Sequence, residues 1–360
     1  MKMGKTDKIK DLRQRIDALD RQILNLLNER AEIVVNVGKV KSERKLSSYD
    51  PDREEKILRY LVKQNSGPFP KRAIAPVFRE IISGCRSLEN GLSVVYLGPP
   101  ASHTHQACVK HFGSSLEAIS GESIWDIFES VEKEKVDFGV APIENSTEGV
   151  VNQTLDMFIE SEVKIYGEIL AQISHDLLSK SGKRQDIRKI VSHPSALAQC
   201  REWLRKNFPD VERVETVSTA KAAQIAAQDK AVAAVAGSLT AELYGLKVIE
   251  SRIEDYIQNY TRFLILSRQS REKTGKDKTS ILFSIPHSPG SLVQALKPFE
   301  EKGINLTKIE SRPVKDKPWE YIFFLDFEGH ATDAPIHETL DEIKDNVLFM
   351  KLLGSYPRNS

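Results

Sequence analysis

Apolar residues recur at alternating steps of four and three along the start of the chain. Leu12, Ile16, Leu19, Ile23 and Leu26 set the stripe, and Ile33, Val37 and Val40 continue it, the spacing of one long amphipathic helix. Arg30 follows Leu26 in this stripe, and Lys41 follows Val37. Eleven residues are close to three turns, so the two cations share a face about 16 Å apart along the axis. Charge on an apolar stripe is costly unless something pairs with it. Two readings stay open: the side chains snorkel past a neighbouring helix to solvent, or they converge on a small anion. After a polar break at residues 45–49, Asp50-Pro51 with acids in the first turn starts a second helix. A third apolar segment, residues 74–88, follows the Gly67-Pro68-Phe69-Pro70 turn and ends in Glu89.

Charge favours the anion. The 360-residue chain is nearly neutral at +1, yet residues 1–90 hold 20 Lys and Arg against 13 Asp and Glu, a local excess of +7. At 40% hydrophobic and 29% charged, the composition is that of a soluble protein, and the length predicts two or three domains. No apolar run approaches membrane-spanning length, and the charged N-terminus lacks a signal-peptide core. Three scattered cysteines predict reduced thiols and a cytoplasmic location. Neither membrane nor nucleic acid is expected as a partner.

Residues 92–268 alternate short apolar runs with helical periods. Strands are predicted at 92–97, 138–142, 164–169, 189–192, 231–236 and 263–267, and helices at 123–133, 196–207 and 219–228. That order predicts a mostly parallel α/β sheet with ligand groups at strand C-terminal ends. Three polar motifs fall there: Glu144-Asn145-Ser146-Thr147-Glu148-Gly149, Ser192-His193-Pro194, and Asn259-Tyr260-Thr261-Arg262-Phe263 just before the last strand. Turn and cap chemistry accounts for any one of them alone. His103, His105, Cys108 and His111 have metal-like spacing, but they run into a helix that would gather them only loosely, so no metal is expected. After a polar linker at 269–277, the order βαββαβ in about 75 residues suggests a ferredoxin-like α+β domain.

The helical segment, residues 1–90, resembles the helical chorismate mutases through Leu12-Arg13, Asp17-Ala18-Leu19-Asp20, Glu29-Arg30, Val37-Gly38-Lys39-Val40-Lys41 and Asp52-Arg53-Glu54. The resemblance implies that Arg13, Arg30 and Arg53 hold the carboxylates of chorismate. Lys41 would meet the ether oxygen with Glu89 opposite, and Asp50 and Glu54 would lie near the ring hydroxyl. Cys85 stands where a hydroxyl residue can occur. Rearrangement to prephenate is pericyclic and needs no nucleophile, base or metal. Holding the compact conformer and stabilising charge on the ether oxygen suffice, for which arginine forks and a lysine point charge are suited.

Residues 92–268 are similar to prephenate dehydratases, through the unbroken run from Gly139 to Gly149, Ser192-His193-Pro194 with Gln199-Cys200, and Asn259-Tyr260-Thr261-Arg262-Phe263. The resemblance implies two α/β lobes around a cleft, as in periplasmic binding proteins. Thr261 would be the key hydroxyl, with Ser192, Gln199 and Glu144 also catalytic. Asn145, Ser146, Thr147 and Phe263 would line the substrate, and Arg262 would sit near its charges. Prephenate loses CO₂ and water, so hydroxide must be helped to leave; threonine is a poor acid and is expected to act through a hydrogen-bonded partner. The chain departs from the family at Gly98-Pro99-Pro100-Ala101-Ser102-His103, where Ala101 lacks glycine's tolerance for positive φ.

Residues 278–356 resemble the ACT domains of phenylalanine-controlled dehydratases, through Pro289-Gly290-Ser291-Leu292, Gly303-Ile304-Asn305 and Ile309-Glu310-Ser311-Arg312-Pro313. A phenylalanine site is implied at Gly290, Ser291, Leu292, Val293, Asn305, Glu310, Ser311, Arg312 and Pro313, between the ACT domains of a homodimer or larger assembly. The combined expectation is a cofactor-free multidomain enzyme making prephenate and then phenylpyruvate under phenylalanine feedback. A mutase fused to prephenate dehydrogenase would need a G-x-G-x-x-G fingerprint, which the chain lacks. A non-catalytic sensor of aromatic acids is the other alternative, and the Thr261-Arg262 pair weighs against it.

Overall fold

The computed structural model describes residues 5–44, 49–89, 91–256, 258–313 and 321–358; of the polar break expected at 45–49, residues 45–48 lie outside them. The chain divides into two compact units, residues up to 93 with 112–117, and residues 94–111 with 118 onward.

The first unit holds helices α1 (Lys5–Glu43), α2 (Pro51–Gln64) and α3 (Lys71–Arg86). Asp50 caps α2 as its sequence predicts, accepting from the Arg53 amide at 3.0 Å with Pro51 at the first position. Helix α3 stops at Arg86, so Glu89 lies in the turn beyond it and not on the helix. The chain itself leaves the apolar stripe of α1 uncovered. Leu12, Ile16, Leu19, Ile23, Leu26, Ile33, Val37 and Val40 are 44–63% exposed. The half-covered positions are Leu27, Arg30, Ala31, Val34, Val35, Gly38 and Lys41, and α1 packs on α3. The helix is thus apolar on two faces, and its two cations edge the packed one.

The second unit begins with a six-stranded sheet: β1 (Ser93–Leu97), β2 (Glu117–Gly121), β3 (Phe138–Asn145), β4 (Gly149–Val150), β5 (Lys164–Gln172) and, much later, β11 (Tyr260–Ser267). Its order is β2-β1-β3-β11-β5, with β4 on β3. Helices α4 (His103–Phe112), α5 (Ile124–Glu132) and α6 (Asn152–Glu160) belong to this stretch of chain. Helix α5 is set by a capping box in which Ser123 and Asp126 bond each other's amides. A second sheet, in the order β10-β6-β9-β7-β8, contains β6 (Asp176–Ser179), β7 (Lys189–Ser192), β8 (Glu212–Glu215), β9 (Val232–Ala236) and β10 (Lys247–Glu250). With it go α7 (Pro194–Gln199), α8 (Arg201–Asn207), α9 (Thr219–Gln228) and α10 (Ser238–Tyr244). The single helix expected at 196–207 breaks into α7 and α8 at Cys200.

Both sheets are mixed and not mostly parallel. Strands β1 and β3 pair parallel, as do β7 with β8 and β9, but β11 runs antiparallel to both β3 and β5. The cause is connectivity: β11 returns from the second lobe and enters the first sheet from the cleft. Its beginning therefore lies beside the end of β3, and Thr261 sits on the strand and not in a loop before it.

The ferredoxin-like module follows as β12 (Asp277–Ser284), α11 (Ser291–Glu301), β13 (Leu306–Pro313), β14 (Tyr321–Glu328), α12 (Ala334–Lys344) and β15 (Phe349–Pro357). Its sheet order is β13-β14-β12-β15, antiparallel throughout. One face lies under the helices, with Ile281, Phe283, Phe299, Leu325 and Ile343 in one core. From the other face, Leu282, Ile322, Phe324, Leu353 and Tyr356 share a core with Leu155, Phe158, Val163, Ile165 and Leu264 of the first lobe. The polar linker at 269–277 joins two parts of one packed body.

Candidate active sites

In the helical unit, α1 presents Arg30 and Lys41 on its half-covered side. The turn after α3 brings Glu89 against Gly38, one helical turn from Lys41; a Cβ on Gly38 would come within 2.8 Å of Glu89 Cγ. Arg30 Nη1 and Glu89 Oε2 are buried with no hydrogen-bond partner in the chain. Buried polar groups are nearly always satisfied, so two orphans of opposite sign mark a place for a polar ligand. Other expected members are engaged elsewhere. Asp50 caps α2, and Glu54 accepts from Arg86 Nη1 at 2.5 Å. Burial raises the pKa of Glu54, which Arg86 opposes. Cys85 is buried at 7% exposure, while Arg13 and Arg53 are exposed.

In the bilobal unit, the cleft is built on one hydrogen-bonded chain. Asn145 Nδ2 donates to Thr261 Oγ1 at 2.7 Å and to Asn259 Oδ1 at 3.1 Å. Asn259 Nδ2 donates to Gln199 Oε1 at 2.8 Å, and His175 Nε2 lies 2.8 Å from that same oxygen. Glu254 accepts from the His175 amide at 3.0 Å. Thr261, Asn145 and Asn259 stand on or beside β3 and β11, whereas Gln199 ends α7 of the second lobe, so the chain crosses between lobes. Ser146 Oγ accepts from the Tyr260 amide at 2.9 Å, and Thr147 Oγ1 reaches Asn259 Oδ1 at 3.4 Å. The Glu144–Gly149 and Asn259–Phe263 motifs meet here, with Gln199, whereas Ser192 and His193 are bonded elsewhere.

Four expected residues are placed differently. Ser192 is fully buried and its hydroxyl donates to the Val235 carbonyl at 2.5 Å, which ties β7 to β9. Phe263 is 1% exposed and packs. Strand alternation turns Glu144 and Arg262 away from Asn145 and Thr261. Glu144 is held by Lys308 at 2.7 Å, and Arg262 by Glu168 and Asp326, both at 2.7 Å. Arg262 therefore meets protein carboxylates where substrate charges were expected. Burial opposes its charge, but Tyr356, Asp326 and Glu168 more than offset that and raise its pKa.

The altered loop keeps a left-handed turn despite losing glycine: Ala101 takes φ 63, and its amide donates to His105 Nδ1 at 2.9 Å. That bond and stacking of His105 on Tyr96 separate His105 from His103, whose ring meets His175 edge-on at 5.3 Å. Asn259, His175, His103 and Glu254 were not among the expected site residues. Asn259 stood inside a recognised motif and His103 in the loop that departs from the family, whereas His175 and Glu254 stand in no motif.

The expected effector residues are split. Gly290 begins α11 at φ 88, where glycine is suited. Ser291 is buried against Ser288 Oγ at 2.7 Å, Leu292 is half-buried and Val293 is 71% exposed. Asn305 Nδ2 reaches Glu328 at 3.3 Å. On β13, Ser311 and Pro313 are exposed and Glu310 half-covered, but Arg312 is bonded to Asp156 of α6 at 3.0 and 3.2 Å.

Family models match in the same order as these units: chorismate mutase type II over residues 12–90, prephenate dehydratase over 94–271 and the ACT domain over 279–345. A bifunctional chorismate mutase/prephenate dehydratase of Aquifex aeolicus is 48% identical over 98% of both chains. One from Pseudomonas aeruginosa is 42% identical over 99% of both. The chain belongs to the bifunctional chorismate mutase/prephenate dehydratase family. A prephenate dehydratase structure from Arthrobacter aurescens, solved with L-Phe, superposes with a TM-score of 0.69 at 34% identity, covering 74% of this chain and 90% of that one. The helical unit accordingly carries the mutase reaction and the bilobal unit the dehydratase reaction, with an ACT domain joined to the latter. Among the described residues no helix is long and apolar enough to cross a membrane.

The dehydratase cleft carries a pH liability. Burial and the neighbouring His175 pull the His103 pKa from 6.5 to about 3, and burial also lowers that of His175. Both are neutral when folded and bind protons more readily when unfolded. Their contribution is fully present above pH 6.5 and is lost as pH falls below it, for His103 by about 1.4 kcal/mol per pH unit down toward its folded value. Thermal midpoints of the dehydratase should drop on acidification below pH 6.5, and His103→Gln should flatten part of that slope. An unchanged slope in the variant would remove His103 as its source.

Proposed function

We propose that dehydration is carried by Thr261 acting with Asn145, and rearrangement by Arg30, Lys41 and Glu89. The observation that carries the first assignment is the 2.7 Å bond from Asn145 Nδ2 to Thr261 Oγ1; the orphaned Arg30 and Glu89 atoms support the second. In the mutase pocket, guanidinium groups hold the carboxylates of chorismate while Lys41 stabilises negative charge growing on the ether oxygen. In the dehydratase cleft, the Thr261 hydroxyl donates to the departing hydroxide as the ring carboxylate leaves as CO₂ and the ring becomes aromatic. Purified chain given chorismate should release phenylpyruvate with prephenate as intermediate. Accumulated prephenate without phenylpyruvate would reject the dehydratase assignment.

The working form is a cytoplasmic homodimer or a larger assembly of it, with domains at residues 1–90, 92–268 and 278–356. The exposed apolar stripe of α1 is a face that a second copy covers, and the exposed Arg13 beside it then reaches the partner's pocket. Mixing Arg13→Ala and Lys41→Ala chains should restore part of the mutase activity that each lacks, through one intact hybrid site. No recovery after verified subunit exchange would exclude a shared pocket. Phenylalanine is the effector, binding at Gly290, Ser291, Asn305 and neighbouring β13 residues between two ACT domains. It inhibits only by preferring one state of the cleft.

A further inference from the structure

The residues that back onto Thr261 and Asn145 are gripped by the ACT sheet. Thr261 stands opposite Asn145 in the β11–β3 ladder, and the next pair along is Arg262 opposite Glu144. Alternation places the first pair in the cleft and the second on the reverse face. Opposite charges directly across a ladder ordinarily pair with each other; here each takes partners from elsewhere. Lys308 of β13 bonds Glu144 at 2.7 Å, with its own side chain only 11% exposed. Asp326 of β14, 1% exposed, bonds Arg262 at 2.7 Å, and the Tyr356 hydroxyl of β15 accepts from Arg262 at 3.0 Å. Lys278 of β12 closes the cluster on Glu168 of β5 at 2.6 Å.

The β11–β3 ladder is interrupted at this point. The β11–β3 register shifts immediately after Arg262, with Phe263 opposite Pro142 and Ile143 extra on β3. A bulge interrupts the ladder and bends its strand locally, so the backbone alone holds the two strands less closely here than in an unbroken ladder. The two charged links hold the last pair before that bulge from behind, one on each strand.

We infer that Lys308 and Asp326 are positioning residues for prephenate dehydration: they hold β3 and β11 from the reverse face so that Asn145 meets Thr261 in the cleft. The inference rests on the assignment of Thr261 as the working hydroxyl. It also gives Glu144 a mechanical role in place of a chemical one.

The test uses the full chain, with its mutase reaction as internal control. Lys308→Met should lower dehydratase kcat about 10- to 100-fold, the cost of roughly 1 Å misplacement, with KM for prephenate within about threefold. Mutase kcat should be unchanged, and Lys308→Arg should recover most of the loss. Glu144→Gln should reproduce the Lys308→Met loss, and the double variant should be no worse than either, as expected of one coupled pair. Asp326→Asn, which keeps volume, should show the same kcat-selective loss; if it does not fold, the Lys308 series decides alone. A Lys308→Met chain with wild-type kcat overturns the inference, as does a loss confined to KM, or losses in Glu144→Gln and Lys308→Met that multiply. If Thr261→Ala keeps full dehydratase activity, the threonine assignment falls and the inference with it. If Thr261→Ala is inactive while Lys308→Met is not, the inference alone falls.

Discussion

Thr261→Ala is expected to lower kcat for prephenate dehydration by about 100- to 10,000-fold, the range for a positioned proton donor, and to leave chorismate rearrangement by the same chain unchanged. The orientation of one amide makes this specific. Asn145 Oδ1 accepts from the amides of Thr147 at 2.8 Å and Glu148 at 3.0 Å, so its nitrogen is the atom turned toward Thr261. That nitrogen only donates. Thr261 Oγ1 must accept from it, and its own proton is then directed elsewhere, toward a group in the cleft. Accepting a hydrogen bond also polarises the hydroxyl and strengthens it as a donor. At 8% exposure the group is shielded enough for that polarisation to count. Thr261→Ser retains the donor and should keep activity within about tenfold. Asn145→Asp would reverse the logic, since a carboxylate accepts from the hydroxyl and holds its proton back. Wild-type turnover in Thr261→Ala, with folding verified by the mutase assay, would dismiss the threonine.

How much of this was legible without coordinates differs by site and for identifiable reasons. Helix boundaries set by local chemistry were readable: Asp50-Pro51 starts α2, Ser123 starts α5 and residues 219–228 form α9. The cleft motifs were readable as a group, because Asn145, Gln199, Asn259 and Thr261 do join in one network. Direction of side chains was not. Glu144 and Asn145 are adjacent in one motif and point to opposite faces, which depends on strand register. Thr261 and Arg262 divide the same way once β11 extends to Tyr260. The parallel sheet was overestimated because a strand returning from a second lobe looks, in sequence, like any other strand. What covers the α1 stripe was not readable for a related reason. Periodicity locates an apolar face, and it does not say whether the chain's own α3 or another surface covers it.

Gly354→Val is expected to destabilise the dehydratase–ACT body by about 3–5 kcal/mol, beyond the usual cost of overpacking because the obstacle is backbone. A Cβ on Gly354 would lie 2.3 Å from the carbonyl oxygen of Ile165 and 3.1 Å from its nitrogen. No rotamer relieves that contact. The residue also has φ +153, a region that β-branched side chains avoid. Strand β15 can therefore approach β5 this closely only at a glycine, where the β12–β15 register also shifts. The flanking Leu353 and Tyr356 are fully buried, so parting the strands opens the shared core at both positions. It also withdraws Tyr356 from Arg262. Gly354→Ala should cost about 2 kcal/mol or more on the same argument, with thermal midpoints read from dehydratase inactivation. Mutase activity should survive to temperatures at which dehydratase activity is gone. A Gly354→Val chain with the wild-type midpoint and wild-type dehydratase rate would mean that the ACT sheet is tethered to the catalytic lobe and does not help to build it. Loss of dehydratase stability means that the two share one structural body, in which case an effector bound to the sheet acts on the strand that carries Thr261.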